Sequence, residues 1–308
     1  MSISKLMLAA LKALSYPDID VKNNYKFERQ VINATHVHLL KPLYHTWDET
    51  ISTDDYDIPV KLFSPNEERD HPVLLFFHGG GWVTGNVDSY HKVCANMAKL
   101  TKHIVASVDY RLAPEYKFPI GLNDCYAVAK AVMINRRFLT TPQNKLILAG
   151  DSAGGNLAAA VSLMARDKGE FTVAKQILLY PSTYHDHTDS SPFDSVRQNG
   201  TDFLLTSKKI SDYMELYESS SEDRTNPYFA PLLADNLKNQ PQTLIITAQF
   251  DPLRDEAEEY GRKLKQAGNY VKIYRIKDAL HGFFSLSPSV IQVKHTYKLI
   301  NEFLKGED

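Results

Sequence analysis

KLILAGDSAGGNLAAA, residues 145–160, combines a strand pattern, a tight turn and a helix pattern. Its apolar start is typical of a strand that is buried on both faces, and its alanine-rich end favours a helix. Between them lies Gly-Asp-Ser-Ala-Gly, residues 150–154, whose small residues allow the sharp strand-to-helix turn that lifts a serine side chain clear of a sheet. We therefore interpret Ser152 as a nucleophile. The alternative is an ordinary glycine-rich turn in which Ser152 caps the helix.

Strand patterns alternate with helix patterns on both sides of this turn. Such alternation predicts an α/β fold with a mainly parallel sheet and helices on both faces. The first two of the eight predicted strands are joined by a short loop, which favours an antiparallel pair. The predicted strands are 45–53, 59–64, 73–77, 104–110, 145–150, 176–181, 243–250 and 270–276, and the predicted helices are 88–100, 121–138, 153–167, 253–267 and 289–305.

Two segments stand outside this alternation. Residues 3–14 carry apolar side chains at helical spacing, which predicts an amphipathic helix at the N-terminus. About sixty residues separate the sixth and seventh strands, far more than a crossover needs, and a long insertion in a compact domain is usually functional. The insertion is polar from 185 to about 225 and has one helical pattern, TSKKISDYMELY, at 206–217.

The composition excludes several classes of protein. The chain has 308 residues, 43% of them hydrophobic, with a net charge of −2 and no basic cluster, so we expect no nucleic-acid partner. No run approaches the roughly 18 apolar residues of a membrane span, and we expect a cytoplasmic protein. Cys94 and Cys125 show no metal-binding spacing, which predicts two small apolar side chains on helices.

A nucleophilic serine needs a base, and the base needs an acid that orients it. In hydrolases built on such a sheet, the order along the chain is serine, acid, histidine, each in a loop after a strand. Asp251 directly follows the seventh strand pattern, and His281 lies in the loop after the eighth. We therefore predict a catalytic triad of Ser152, Asp251 and His281. Asp255 and Asp278 are weaker candidates for the acid.

The histidines elsewhere do not fit that order. His185, Asp186 and His187 could suggest a metal site, but they lack a complete ligand set, so we predict a solvated loop there and no metal. Among the other histidines, His71, His78, His91 and His103 precede the serine, and His295 lies in the last predicted helix.

The third strand is followed by His78-Gly79-Gly80-Gly81-Trp82. Three consecutive glycines are costly in conformational entropy, so the loop must use them. Without Cβ atoms, the backbone N–H groups stand open to an incoming carbonyl oxygen. The N–H of Ala153, at the start of the helix after the serine, faces a developing oxyanion in the same way. We predict that His78 braces this loop and is not the catalytic base.

These motifs resemble those of the hormone-sensitive lipase family, also called bacterial family IV esterases or the α/β-hydrolase fold-3 group. The resemblance spans about residues 70–285, and the motifs occur in that family's order. They are HGGGW (78–82), DYRLAPE (109–115), FP (118–119), GDSAGGNLA (150–158), DPLRDE (251–256) and HGF (281–283).

The resemblance implies a single α/β-hydrolase domain that hydrolyses carboxylic esters without a cofactor. It implies a triad of Ser152, Asp251 and His281, the same residues that chain order selects. It also implies an oxyanion hole made by the backbone N–H groups of Gly80, Gly81 and Ala153. Members of that family often form dimers, so the oligomeric state stays open between monomer and homodimer.

The family resemblance further implies a helical cap over the acyl pocket. We assign the cap to about 1–44 and 185–225, and the catalytic core to about 45–184 and 226–308. Three aromatic residues beside the motifs are candidates for substrate binding: Trp82, Phe283 and Phe284. A further group lies in the insertion and either lines the pocket or forms the cap's own core: Phe203, Leu204, Leu205, Tyr213, Met214 and Tyr217.

The residues therefore predict a serine carboxylesterase that acts on small-molecule esters with short to medium acyl chains. One alternative is an amidase or deacetylase with the same triad. Another is a ligand-binding protein on the same scaffold that has lost catalysis, which the retained triad disfavours. The acyl and alcohol groups of the natural substrate depend on the cap, where the sequence is least informative.

Overall fold

A computed structural model describes residues 20–34, 45–68, 70–134 and 145–306, in which eight strands form one sheet. The predicted helix at 3–14 and the end of the helix predicted at 121–138 lie outside these residues. The strands are β1 His45–Ser52, β2 Asp57–Ser64, β3 Val73–Phe77, β4 Ile104–Val108, β5 Leu146–Asp151, β6 Val173–Leu179, β7 Gln242–Phe250 and β8 Val271–Leu280. The α-helices are α1 Val21–Ala34, α2 His91–Thr101, α3 Ile120–Ile134, α4 Ala153–Lys168, α5 Asp194–Asn199, α6 Ser207–Tyr217, α7 Arg254–Gln266 and α8 Ile291–Lys305.

The strand order is β1-β2-β4-β3-β5-β6-β7-β8. β1 pairs with β2 and β2 with β4 in antiparallel register, and every other pair is parallel. The predicted mainly parallel eight-stranded sheet with an antiparallel start is therefore confirmed. Because β3, β5, β7 and β8 run parallel, the loops that follow them meet at one edge of the sheet.

The central strands read as continuous apolar runs because helices cover both of their faces. Every residue of β3, β4 and β5 is buried. One core lies between the sheet and α3, α4 and α7, and the other lies between the sheet and α2 and α8. Cys94 and Cys125 are buried, free thiols on α2 and α3. No helix in the described part of the chain is long and apolar enough to cross a membrane.

Two strands have a boundary that differs by three or more residues from their sequence patterns. β6 begins three residues earlier than predicted, and β8 continues to Leu280 instead of ending at 276. The polar residues Lys277 and Asp278 suggested a loop, but β8 is an edge strand whose residues are mostly half-buried or exposed. Polar side chains are compatible with such a strand because one side of it faces solvent.

Two helices from distant parts of the chain pack against each other above the carboxyl edge of the sheet. α6 occupies almost the whole helical pattern found in the insertion, and α1 precedes the first strand. The hydroxyl of Tyr213 on α6 donates to Glu28 on α1 at 2.8 Å, and Asp212 accepts from the N–H of Val21 at 3.3 Å. Lys22 and Glu215 form an ion pair between the same helices.

The loop at 185–187 is anchored, which corrects the expectation of a solvated loop. His187 is buried, and its Nε2 lies 2.6 Å from a carboxylate oxygen of Glu256 at the start of α7. The other carboxylate oxygen accepts from the N–H groups of Thr183 and Tyr184 at 2.6 and 3.0 Å. The Glu256 carboxylate therefore ties the start of the insertion to the helix that follows Asp251.

We predict that Glu256→Ala lowers the free energy of unfolding by about 3–5 kcal/mol, because it strips a buried histidine and two backbone N–H groups of their acceptor. Urea unfolding measures the change. Glu259→Ala on the same helix is the control: Glu259 pairs with Arg262 on the helix surface, and its loss should cost under about 1 kcal/mol. A Glu256→Ala protein as stable as the control would contradict the anchoring role.

Candidate active site

Ser152 sits in a strained turn between β5 and α4. Its backbone φ is 54° and its ψ is −120°, a left-handed conformation that side chains rarely adopt. The small residues around it are required by close approach. A Cβ on Gly154 would lie 2.0 Å from the carbonyl oxygen of Phe77, and a Cβ on Gly150 would lie 2.2 Å from the carbonyl oxygen of Gly154. The turn therefore has the form of a nucleophile elbow.

The structure brings the three predicted triad residues into one hydrogen-bonded line. His281 Nε2 lies 2.9 Å from Ser152 Oγ, and His281 Nδ1 lies 2.7 Å from Asp251 Oδ2. Asp251 is fully buried, and its other oxygen accepts from the N–H of Leu253 at 2.9 Å. This arrangement allows the imidazole to take the serine proton while the carboxylate orients the ring.

The weaker acid candidates are placed differently. The carboxylate of Asp255 pairs with Arg254 and accepts from the N–H of Ser195 at 2.8 Å. Asp278 lies within β8, three residues before His281, and has a left-handed backbone with φ of 56°. The imidazole contact goes to Asp251.

The loop after β3 has a left-handed backbone at successive residues. The φ angles of Gly80, Gly81 and Trp82 are 110°, 61° and 60°. A Cβ on Gly80 would lie 2.2 Å from the carbonyl oxygen of Thr84, and one on Gly81 would lie 2.4 Å from the ring of Tyr213. The glycines are therefore required by backbone conformation and by contact with the loop and α6, in addition to the open approach for a carbonyl oxygen that we predicted.

His78 lies beneath this loop, where we predicted a brace. It is fully buried, its Nδ1 lies 2.8 Å from the carbonyl oxygen of Gly79, and its ring stacks on Tyr110 at 4.4 Å. The hydroxyl of Tyr110 donates to the carbonyl oxygen of His78 at 2.7 Å. Burial lowers the pKa of His78, which favours the neutral imidazole. These contacts suit a structural role.

A pocket of about 230 Å³ opens above Ser152. Its lining includes Ser152 and His281 of the predicted triad, the three residues predicted for the oxyanion hole, and several apolar side chains. Leu253, from the loop that carries Asp251, and Ile32, on α1, were not predicted, since nothing in their local patterns distinguishes them from core residues. The lining residues are Ile32, Gly80, Gly81, Trp82, Thr84, Tyr90, Asp151, Ser152, Ala153, Ser182, Leu205, Ile210, Tyr213, Leu253, His281 and Gly282.

Of the three aromatic pocket candidates, only Trp82 lines the pocket. Phe283 and Phe284 are buried in the core on the α8 side of the sheet, which corrects our expectation. They belong to a short 3-10 helix, Phe283–Ser285, where Phe283 packs on Tyr180 and Phe284 packs on Tyr297. The turn after His281 directs both rings away from the serine.

The six insertion candidates fall into three groups: some line the pocket, one is largely exposed, and the rest are buried elsewhere, with Met214 and Tyr217 in the main core. Leu205 and Tyr213 line the pocket, as does Ile210 on the same helix. Leu204 is 38% exposed. The other three candidates, Phe203, Met214 and Tyr217, are buried and do not line the pocket.

The fold and this site together define an α/β hydrolase with a serine nucleophile. The chain belongs to the alpha/beta hydrolase fold family Abhydrolase_3, whose model matches residues 74–285, and the predicted hormone-sensitive-lipase-like family is thereby confirmed. It is 34% identical over 243 residues to an arylesterase of Saccharolobus solfataricus, covering 79% of this chain and 78% of that protein.

Other relatives are also esterases. A carboxylic ester hydrolase of Mycobacterium tuberculosis, LipN, is 34% identical over 291 residues, covering 92% of this chain and 76% of that protein. A hyperthermophilic esterase from the archaeon Pyrobaculum calidifontis superposes with a TM-score of 0.85 at 34% identity, covering 99% of both chains.

We predict that Gly81→Ala abolishes most ester turnover by displacing the loop or the Tyr213 ring. Loss of one oxyanion donor typically costs about 10²–10³ in kcat. Gly169→Ala is the matched control, because Gly169 has nearly the same φ, 64°, and no described residue lies within 4 Å of an added Cβ. Each backbone strain should cost about 1–2 kcal/mol of stability.

Turnover of p-nitrophenyl acetate per mole of folded protein, judged by circular dichroism, compares the two variants. Equal turnover in both would show that the loop tolerates a side chain at position 81 and would count against its role at the site.

Proposed function

We propose that this protein is a serine carboxylesterase that hydrolyses short- to medium-chain carboxylic esters through an acyl-enzyme intermediate. The observation that carries the proposal is the hydrogen-bonded line from Ser152 through His281 to the buried Asp251, which opens into an apolar pocket. The esterase relatives support the same class of reaction.

In the proposed mechanism, Ser152 Oγ attacks the ester carbonyl carbon while His281 Nε2 takes the hydroxyl proton. Asp251 holds the imidazole through Nδ1 and stabilises the imidazolium that forms. The proton then passes to the alcohol oxygen as the C–O bond breaks and the alcohol leaves. Water, activated by His281, attacks the acyl-enzyme, releases the carboxylic acid and restores the serine hydroxyl.

The carbonyl oxygen becomes negatively charged in both steps, and we assign its donors to the backbone N–H groups of Gly80, Gly81 and Ala153. All three residues line the pocket beside Ser152. Ala153 is the first residue of α4, and N–H groups in the first turn of a helix have no acceptor within the helix. The positive end of the helix dipole favours an anion at this position.

The pocket supports the proposed acyl length. Its apolar lining comes from Ile32, Leu205, Ile210 and Leu253, three of which lie in the segments that we assign to the cap. A cavity of about 230 Å³ closed by such residues favours acyl chains of a few carbons over long ones. We also infer a cytoplasmic location, which the free, buried thiols of Cys94 and Cys125 support because the fold uses no disulfide between them.

Ser152→Ala should reduce kcat for p-nitrophenyl butyrate by about 10⁴-fold or more, because it removes the proposed nucleophile. Ser162→Ala is the control, since Ser162 is a buried serine on α4 whose hydroxyl has no hydrogen-bond partner among the described residues. A fluorophosphonate should label the wild-type protein and Ser162→Ala but not Ser152→Ala. Near wild-type turnover by Ser152→Ala would refute the assignment, and hydrolysis of a matching anilide as fast as the ester would favour an amidase.

The acyl-chain profile tests the pocket. Across p-nitrophenyl esters from C2 to C12, we expect kcat/KM to peak at short to medium chains. Leu205→Trp should shift the peak towards acetate by filling the pocket, whereas Leu204→Trp should leave it unchanged, because Leu204 does not line the cavity. A maximum at C12, or equal profiles for the two variants, would contradict this assignment of the acyl site.

A further inference from the structure

Asp151 is a buried carboxylate that the Ser152–His281–Asp251 line does not use. It precedes Ser152 in the elbow and is 6% exposed. The N–H of Gly79 donates to its Oδ1 at 2.8 Å, and the hydroxyl of Tyr90 donates to its Oδ2 at 3.0 Å. The hydroxyl of Tyr180 donates to the same Oδ2 at 3.4 Å. The donors around this carboxylate are thus neutral groups.

This environment makes the ionised form expensive. Burial raises the pKa of Asp151 to about 6, against the hydrogen bonds and the charge of nearby His281, which lower it. Other titratable groups around the carboxylate are kept uncharged, because burial raises their pKa values: Tyr90, Tyr180, Tyr110 and Cys94. A buried carboxylate whose hydrogen-bond donors are neutral is, at such a position, a candidate for function rather than for stability.

The contacts of Asp151 join the parts of the site. The carboxylate belongs to β5 and the elbow, Gly79 opens the loop after β3, and Tyr90 directly precedes α2. Gly79 is packed so closely that an added Cβ would lie 2.9 Å from both Asp151 Oδ2 and the Tyr90 hydroxyl. Close approach alone therefore explains the glycine at position 79. At positions 80 and 81 the left-handed backbone conformation also requires glycine.

The neighbouring residues in the loop are the assigned oxyanion donors Gly80 and Gly81. An oxyanion hole works only when its donors stand at about 2.7–3.1 Å from the position that the charged oxygen will occupy. The bond from the Gly79 N–H to Asp151 fixes the start of that loop against the residue beside the nucleophile. The Asp151 carboxylate thus adds a side-chain link between the nucleophile and the assigned donors to the pairing of β3 with β5.

We propose that Asp151 is a positioning residue of the esterase site, whose carboxylate holds the oxyanion loop in register with Ser152 through the N–H of Gly79. The proposal rests on the proposed esterase function. Asp151 contributes to the pocket lining, but in this role its carboxylate binds the N–H of Gly79 rather than the substrate. It acts through Gly79, so its loss should weaken the binding of the transition state more than that of the substrate.

Two variants weaken the hydrogen bond between the N–H of Gly79 and residue 151 to different extents. Asp151→Asn keeps an oxygen acceptor but loses the charge, and a hydrogen bond to a charged acceptor is about twice as strong as one to a neutral acceptor. We expect Asp151→Asn to lower kcat about 5- to 30-fold and Asp151→Ala to lower it about 10²- to 10³-fold, with KM within about 3-fold of wild type in both.

Two ketones of the same chain length separate stabilisation of the oxyanion from binding in the pocket. Ser152 Oγ adds to the carbonyl carbon of a trifluoromethyl ketone such as 1,1,1-trifluoro-2-hexanone. His281 takes the serine proton, and the former carbonyl oxygen carries the negative charge. 2-Hexanone fills the same pocket without reacting. The affinity for the trifluoromethyl ketone should fall in parallel with kcat in both variants, and the affinity for 2-hexanone should stay within about 3-fold.

Asp124→Ala is the matched control. Asp124 is 2% exposed and accepts from the N–H of Arg111 at 3.0 Å, but it does not line the active-site pocket. Measured where all variants are folded, Asp124→Ala should leave kcat and the affinity for the trifluoromethyl ketone within 3-fold of wild type. If Asp151→Ala does not fold, Asp151→Asn alone carries the test, because it is isosteric.

Two results would overturn the proposal. The first is a kcat for Asp151→Asn within 2-fold of wild type. The second is a loss of kcat without a parallel loss of affinity for the trifluoromethyl ketone. Turnover by Ser152→Ala, measured in parallel, would instead overturn the proposed function itself.

Discussion

The left-handed backbone at Ser152 is the constraint on which the rest of the catalytic edge depends. The conformation lifts the side chain off the sheet, and it persists only where neighbouring structure holds it. Here the N–H of Ser152 donates to Leu179 at the end of β6, at 2.9 Å, and Gly154 packs on the carbonyl of Phe77 at the end of β3. The strands on both sides of β5 therefore hold the elbow in its conformation. This explains why the elbow requires a buried parallel sheet.

The same adjacency of β3 and β5 assembles the proposed oxyanion hole. β3 leads into the glycine loop and β5 leads into α4, so the assigned donors on the two segments meet beside one serine. The loop is then covered by Tyr213 of α6, whose hydroxyl is tied to Glu28 on α1. Tyr213 therefore lines the substrate pocket and also packs against Gly81 in the loop that carries the assigned donors. A change in the packing of α6 would act directly on that loop.

Chain order was enough to select the residues of the Ser152–His281–Asp251 line because parallel strands deliver their following loops to one edge. What the sequence could not show was the direction of a side chain within such a loop. Phe283 follows His281 closely and looked like a pocket residue, yet a 3-10 turn places its ring in the opposite core. His187 lies in a polar stretch and looked solvated, because its partner Glu256 is 69 residues away and no local pattern reveals the pair.

Asp151 shows how stability and function diverge at this site. Its pKa of about 6, against a usual 3.8, means that the folded protein holds this proton more tightly than the unfolded chain does. The stabilisation from proton uptake is fully present below about pH 4 and is lost as the pH rises through about 6. At neutral pH the fold therefore carries an ionised carboxylate at a cost of about 3 kcal/mol, on a scale of 1.4 kcal/mol per pKa unit. An apolar residue at position 151 would avoid that cost but would leave the N–H of Gly79 without its acceptor. The unfavourable charge of Asp151 is therefore explained by the position in which its carboxylate holds the loop.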